Sequence, residues 1–263
     1  MSYRIVNLDD RQVLQPDLLA EGNSFSAVVT NAPVMGGLIH LISEGGPWHS
    51  KHVALVSPDT GDGEVPNSLG LTNMSSSMLY SPSSAGRERF THVSKVTREA
   101  LAEFYGYTFV MQRSSVTTVD ENGANTTKAV STIARRPDLD PETLDYYLTM
   151  GPQDVVIVNL DKLEMLDPQL MGNTGALADL VIDPDDGMTP VILAALLHAG
   201  RFPDSTTASL EDRLGSTRVG SWAGDRLAVL DRTDPLILSE ELSVIALSPQ
   251  VQVDVDGNET TAA

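Results

Sequence analysis

The stretch TPVILAALLHAG, residues 189–200, decides the fold class because it is apolar on almost every side. Thr189-Pro190 predicts the start of a helix and Gly200 predicts its end, since proline suits the first helical position and glycine a C-terminal cap. A helix that is apolar all round lies inside a core. Its three leucines are therefore expected to be buried.

Short apolar runs near this helix predict strands. Val155–Val158 has the apolar character of a strand buried on both faces, and Leu180–Ile182 repeats that character. Asp161 with Glu164 has the spacing of a capping box, which predicts a helix between the two runs. Further elements are expected as strands at Arg226–Leu230, Ser243–Leu247 and Val251–Val255, and as a short helix from Asp140 to Thr149.

Residues 1–90 have many turn-forming residues, which predicts extended segments and loops with little helix. The expected strands are the short apolar runs Tyr3–Val6, Phe25–Thr30, Leu38–Ile42 and Val53–Val56. The stretch Ser57–Ser84 has many turn formers and few bulky apolar residues, and a loop of that length is functional, disordered or a contact arm. We expect no internal repeat.

A helix and a hairpin are predicted next. Apolar residues recur with helical period at Val93, Val96, Ala100, Leu101 and Phe104. Ser94 is the expected N-cap and Gly106 the expected end of this helix. Tyr107–Met111 follows as a strand, and Asn122-Gly123 lies between two β-prone runs, which is the strongest short hairpin signal in the chain.

Charge divides the chain. It carries 36 acids against 17 bases, a net charge of −19. Residues 91–136 have a net charge of +2, whereas residues 137–263 have −17. This shift predicts a strand-rich N-terminal region, residues 1–136, with an arm, one helix and a hairpin, and an acidic α/β subdomain, residues 137–263, with a polar tail. The fold class expected is α+β, with mixed sheets and two or three helices.

Composition excludes several functions. There are no cysteines, hence no disulfide, thiolate metal site or thiol nucleophile. The N-terminus lacks signal-peptide features and no apolar run is long enough to cross a bilayer, which predicts a soluble protein. A strong acidic charge repels nucleic acid and anionic membranes. Abundant Asp with few Lys indicates either adaptation to high salt or a GC-rich genome, and both explanations stay open.

Two groups are weak metal-site candidates. His49 and His52 would share a face of a helix, but the sequence around them predicts a turn entering a strand, where residues three apart point to opposite faces. Asp183, Asp185 and Asp186 resemble the start of a calcium loop, yet Gly187 comes one position early for an EF-hand. Acids there also suit the N-terminal end of the following helix. Loosely bound cations are the most that this pattern predicts.

No catalytic or cofactor motif is found, so the leading hypothesis is a self-assembling structural subunit. It would form the shell, coat or tube of a virus-like particle, located in a virion or the cytoplasm, with copies of itself as partners. The subunit-contact candidates are Arg113, Asn122, Gly123, Lys128, Arg135 and Arg136. The alternative is a hydrolase or metal-dependent enzyme that uses His49 and His52 with Asp183, Asp185 or Asp186.

Overall fold

A computed structural model describes residues 3–20, 24–57, 90–119, 125–135, 146, 149, 151–182, 187–199, 213–215, 217–239, 241–247, 251–253 and 259–261, with backbone alone for 111–119, 125–135, 251–253 and 259–261. Within these ranges the chain forms a mixed eight-stranded sheet, two separate two-stranded sheets and six helices. This is the α+β class that the sequence predicts, although it has more helices than expected.

The strands are β1 (Arg4–Asn7), β2 (Gln12–Leu14), β3 (Lys51–Val56), β4 (Thr91–His92), β5 (Thr108–Val119), β6 (Asn125–Arg135), β7 (Val155–Asn159), β8 (Glu164–Leu166), β9 (Asp225–Asp231), β10 (Ser243–Val244), β11 (Val251–Val253) and β12 (Glu259–Thr261). The helices are α1 (Phe25–Thr30), α2 (Ala32–Ile42), α3 (Ser94–Tyr105), α4 (Leu177–Ile182), α5 (Thr189–Leu197) and α6 (Pro235–Leu238). Two 3-10 turns follow β2 and β8: the first is Pro16–Leu18 and the second is Gln169–Met171.

The main sheet has the strand order β10-β8-β7-β9-β3-β1-β2-β4. At its centre β3 and β9 are antiparallel, with His52 opposite Arg226. Each side then repeats the same pattern: an antiparallel neighbour, an antiparallel hairpin and a short parallel strand at the edge. The pattern of parallel and antiparallel neighbours is therefore the same on either side of the β3–β9 pair. This pattern indicates an approximate twofold relation centred between β3 and β9.

The sequence carries the same duplication. The hairpin β1–β2 begins with Ile-Val-Asn-Leu-Asp at residues 5–9, and the hairpin β7–β8 begins with the same five residues at 157–161. At the same spacing, Leu14, Pro16 and Leu18 match Leu166, Pro168 and Leu170. The expectation of no internal repeat is therefore wrong. We name residues 3–93 the N-terminal repeat and residues 155–245 the C-terminal repeat.

Tertiary contacts also recur. The Trp48 Nε1 donates to Gln12 Oε1 at 2.6 Å, and the Trp222 Nε1 donates to Glu164 Oε2 at 2.7 Å. The backbone is left-handed at equivalent turn positions, with φ of 51° at Arg11 and 54° at Leu163. Such agreement over side-chain and backbone geometry is expected of two copies of one unit.

The edge strands agree as well. In the N-terminal repeat the backbone N–H of Thr91 donates to Arg11 O at 2.8 Å. In the C-terminal repeat the N–H of Ser243 donates to Leu163 O at 2.9 Å, at the same spacing of residues. The two ends of the main sheet are therefore built alike.

The helices of the two repeats interleave on one face of the main sheet. Helix α1 packs against α5 of the other repeat, and α2 packs against α4. Ser43, after α2, bridges to Val229, while His198, after α5, bridges to Leu55. The helices and strands of each repeat thus contact those of the other. Residues from both repeats form one apolar cluster. Buried residues on the opposite sheet face include Val6, Ala54, Val156 and Val158.

Several expected strands are helices instead. Phe25–Thr30 forms α1, Leu38–Ile42 lies in α2, and Leu180–Ile182 lies in α4. These runs are too short for apolar periodicity to separate a strand from a buried helix. Asp161 and Glu164 do not cap a helix, because they lie in the turn and second strand of the β7–β8 hairpin.

Other expectations are confirmed. Val155–Val158 is a buried strand, and α5 is buried along nearly its whole length, including its three leucines. The hairpin β5–β6 forms with ten paired residues on each strand. Helix α3 ends at Gly106 in the left-handed conformation, as expected. Its buried face matches the predicted one only in part: Val93 and Leu101 are buried, but so is Thr97, whereas Val96 and Phe104 are 62% and 57% exposed.

The remaining predictions are only partly covered. The Asp140–Thr149 helix, the Ser57–Ser84 arm and Gly200 lie outside the described residues, apart from helical positions at Tyr146 and Thr149. Strands from both sides of residue 136 belong to the main sheet.

Candidate functional site

The two candidate histidines occupy different places. His49 lies in the turn before β3, where its Nδ1 is 3.2 Å from Ile42 O. His52 is in β3, where its Nδ1 lies 2.7 Å from Asp9 Oδ1 and its Nε2 lies 3.8 Å from Asp161 Oδ2. The expectation of a turn entering a strand is confirmed for both. The structure does not bring the two rings together around a shared position.

His52 belongs to a polar cluster at the centre of the main sheet. Asp9 accepts from the His52 backbone N–H at 2.9 Å, and Asp161 accepts from the Arg226 backbone N–H at 2.7 Å. Burial alone would raise the pKa of the Asp161 carboxyl, but the hydrogen bonds and charge of Arg226, with the charge of His52, hold that pKa below its usual value. Each repeat contains one of these pairs, His52 with Asp9 and Arg226 with Asp161, and the approach of His52 Nε2 to Asp161 Oδ2 links the two repeats.

The described residues hold no group of three His, Asp or Glu side chains arranged as a metal site. Asp183, Asp185 and Asp186 lie outside the described ranges, so the calcium-loop interpretation stays a prediction. Gly187, which follows them, is placed directly against the Asn173 side chain.

Two further histidines pack against aromatic rings, His198 in the core and His40 at a half-buried position. His198 is 1% exposed, and its ring lies 5.5 Å from that of Tyr3 and 5.9 Å from that of Phe25. His40 contacts Phe104 and Tyr105, and burial lowers its pKa. Burial likewise raises the pKa of Tyr105 to about 12. Aromatic packing explains these groups without a reaction.

The β5–β6 hairpin is the one long pair of strands outside the main sheet in the described part of the chain. At its base, β5 packs against α3 and β6 packs against the first 3-10 turn. Phe109 stacks on Tyr107 with ring centroids 6.0 Å apart, and the Arg98 guanidinium lies 5.9 Å from the Phe109 ring centre. These contacts hold the start of the hairpin on α3, and the Tyr107 hydroxyl also donates to Val181 O at 2.9 Å and to Ile182 O at 3.0 Å at the end of α4.

The predicted contact residues are distributed along this hairpin. Arg113 pairs across the ladder with Val130, Lys128 pairs with Val116, and Arg135 pairs with Thr108. A bulge separates the first two pairs. Asn122, Gly123 and Arg136 lie outside the described residues. Arg113, Lys128 and Arg135 thus all lie on the β5–β6 hairpin, as the self-assembly hypothesis requires.

The two 3-10 turns form a repeated surface feature. The Leu19 backbone N–H donates to Pro16 O at 2.9 Å, and at the equivalent place Met171 N–H donates to Pro168 O at 3.0 Å. Leu18 is 40% exposed in the first turn, and Leu170 is 63% exposed in the second. Sequence reasoning missed this pair because it missed the repeat. The identical residues at 5–9 and 157–161 were the signal that could have revealed it.

No helix in the described ranges has the length and apolarity needed to cross a membrane. No protein family, curated protein or solved structure significantly matches the chain.

Proposed function

We propose that this protein is a self-assembling structural subunit, of the kind that forms a shell, coat or tube of a virus-like particle, and that the β5–β6 hairpin contacts neighbouring copies. The hairpin is the single observation that carries the proposal. Its strands have 12 and 11 residues and pair with each other in a sheet of their own. At about 3.4 Å per residue they extend roughly 40 Å.

A two-stranded sheet of this kind is marginally stable in water by itself. A third layer or strand from a neighbouring molecule would bury its apolar residues and supply the missing stability. In the described part of the chain the hairpin takes no part in the main sheet, and we propose that it contacts a neighbouring copy instead.

Charge favours the same partner. The two strands of the hairpin contain Arg113, Lys128 and Arg135 and no acid, whereas residues 137–263 have a net charge of −17. Opposite charges steer association and select the partner and its register. The acidic half of a second copy is thus an electrostatic match for the hairpin. High salt would weaken this attraction, so apolar contacts would have to hold the assembly together in a saline setting.

The test is the size of the purified protein, measured by native mass spectrometry and negative-stain imaging over a range of concentrations. We expect assemblies larger than a dimer. Lys128→Glu should weaken association by about tenfold or more, corresponding to about 1.4 kcal/mol per factor of ten. Lys95→Glu is the matched control, since this exposed lysine lies on α3, outside the hairpin, and pairs with Glu99 in the same helix. A wild-type protein that stays monomeric at high concentration contradicts the proposal.

A further inference from the structure

The chain contains one long hairpin but two copies of the surface on which it rests. In the N-terminal repeat, β6 packs against the first 3-10 turn. The C-terminal repeat has the equivalent surface at the second turn, since Pro168 and Leu170 match Pro16 and Leu18 in sequence, and the turns share their backbone hydrogen bond. The duplication thus supplies a second surface with the same local structure, at the second 3-10 turn.

The second turn is the more open of the two. Helix α3 and strand β6 both pack against the first turn. Leu170 in the second turn is 63% exposed, whereas Leu18 in the first turn is 40% exposed. Leu170 therefore presents more apolar surface to solvent than its counterpart Leu18 in the first turn, against which β6 packs.

Acidic groups flank the second turn. The Gln169 side chain donates to Asp154 Oδ1 at 3.1 Å, and its backbone N–H donates to Asp167 Oδ1 at 3.0 Å. Arg232 forms ion pairs with both carboxylates. One guanidinium therefore balances two carboxylates, which leaves the local charge negative and suited to a basic partner.

We propose that the second 3-10 turn, centred on Leu170, is the docking site for the β5–β6 hairpin of a second copy of this chain. The proposal rests on the function proposed above and names the surface that receives the hairpin. The contact is heterologous, because the hairpin of one copy meets the second turn of the next. Repeating it builds a ring or an open chain.

Complementation between two altered proteins tests the docking site. Leu170→Asp places a charge at the turn and leaves the hairpin intact. The double variant Arg113→Glu with Lys128→Glu changes the hairpin and leaves the turn intact. Each alone should associate at least tenfold more weakly than the wild type. Mixed together, they should form a one-to-one dimer and no larger species, because only one productive contact remains.

Leu238→Asp is the matched control, since Leu238 is 67% exposed and lies on α6, outside the turn. Native mass spectrometry resolves the species by mass, and thermal unfolding checks that each variant is folded. If the wild type assembles while Leu170→Asp assembles equally well, the docking site is wrong although the assembly function stands. The docking site is also wrong if Leu238→Asp is as damaging, or if the mixture stays monomeric. A monomeric wild type overturns both proposals.

Discussion

At the scale of single residues, each repeat has a buried asparagine, and the two asparagines have the same role. Asn7 Oδ1 accepts the backbone N–H groups of Asp9 and Asp10 at 3.0 and 3.1 Å. Asn159 Oδ1 accepts those of Asp161 and Lys162 at 3.0 Å each. Both side chains are 0% exposed. Each asparagine therefore fixes the turn of its hairpin, which in turn places Asp9 or Asp161 at the centre of the main sheet.

Replacing either asparagine should destabilise the protein by a similar amount. Asn159→Ala leaves two backbone donors of the turn without their acceptor and removes the amide that donates to Asp225 Oδ2 at 2.8 Å. We expect a loss of about 1–3 kcal/mol in the free energy of unfolding, the cost of unsatisfied groups that are partly buried. Urea unfolding of Asn7→Ala and Asn159→Ala measures it. Gln153→Ala, at an exposed position, is the control and should change little.

The ion pair beside each turn is preserved with its charges exchanged. In the N-terminal repeat Lys51 on β3 pairs with Asp10 in the turn at 3.3 Å, and in the C-terminal repeat Asp225 on β9 pairs with Lys162 in the turn. The exchange shows that opposite charges are needed at this junction, whichever element carries each sign. A comparison that counts only identical residues finds no match at such a position. This is one reason why the repeat was not predicted.

His40 should make stability depend on pH. Burial lowers its pKa in the folded protein, whereas the unfolded chain retains a value of about 6.5. As pH falls below about 6.5, the unfolded chain binds the proton first, so stability present above that pH is lost. The slope is up to about 1.4 kcal/mol per pH unit. His40→Gln should flatten the curve of unfolding free energy between pH 7 and 5; equal slopes in both proteins would contradict this account.

At the scale of elements, local sequence predicted best where a segment was long or had a specific turn. Helix α5 and the β5–β6 hairpin have such signals. Short apolar runs such as Leu180–Ile182 do not, because their conformation depends on what they pack against. For α4 that partner is α2 of the other repeat, which no local pattern reveals. Local sequence does not reveal the second 3-10 turn either, because only the duplication shows that it corresponds to the first turn.

The crossing of α2 with α4 depends on Gly36. A Cβ atom at this position would lie 2.2 Å from Val181 O, a backbone atom that cannot move aside by rotating a side chain. Gly36→Ala should therefore cost about 1–3 kcal/mol or more through overpacking, despite the higher helix propensity of alanine. Thermal or urea unfolding would measure the loss.

Gly37→Ala is the matched control for this crossing. Its Cβ would meet the Thr97 Cγ2 at 2.9 Å, a less severe contact than the 2.2 Å to Val181 O and one with a side chain rather than the backbone. The gain in helix propensity, about 1 kcal/mol, offsets part of that strain. Equal losses for the two variants would show that the contact with Val181 is not what limits the approach of the helices.

For the whole molecule, duplication gives two ends of the same construction on a single sheet, while α3 and the hairpin follow only the N-terminal repeat within the described residues. The main sheet is nearly symmetrical, but the hairpin lies beside only one of its two 3-10 turns. This arrangement suits head-to-tail contact, because each copy has one hairpin and one turn that could bind the hairpin of another copy. Composition alone predicted the opposite charges of the hairpin and the C-terminal half. It could not predict which surface would meet the hairpin.

Salt should stabilise the folded molecule. Residues 137–263 contain 23 acids and six bases, so most of their carboxylates have no cation to pair with. Screening weakens the ion pairs of Arg226 and Arg232 too, but partly exposed pairs contribute only about 0–1 kcal/mol each. Repulsion among the excess carboxylates is the larger effect, and at molar salt it is screened over about 3 Å. The melting temperature should thus rise from low to molar sodium chloride at pH 7, and rise less in an uncharged osmolyte of equal osmolality. A melting temperature that stays flat or falls would leave genome composition as the explanation for the acidic residues.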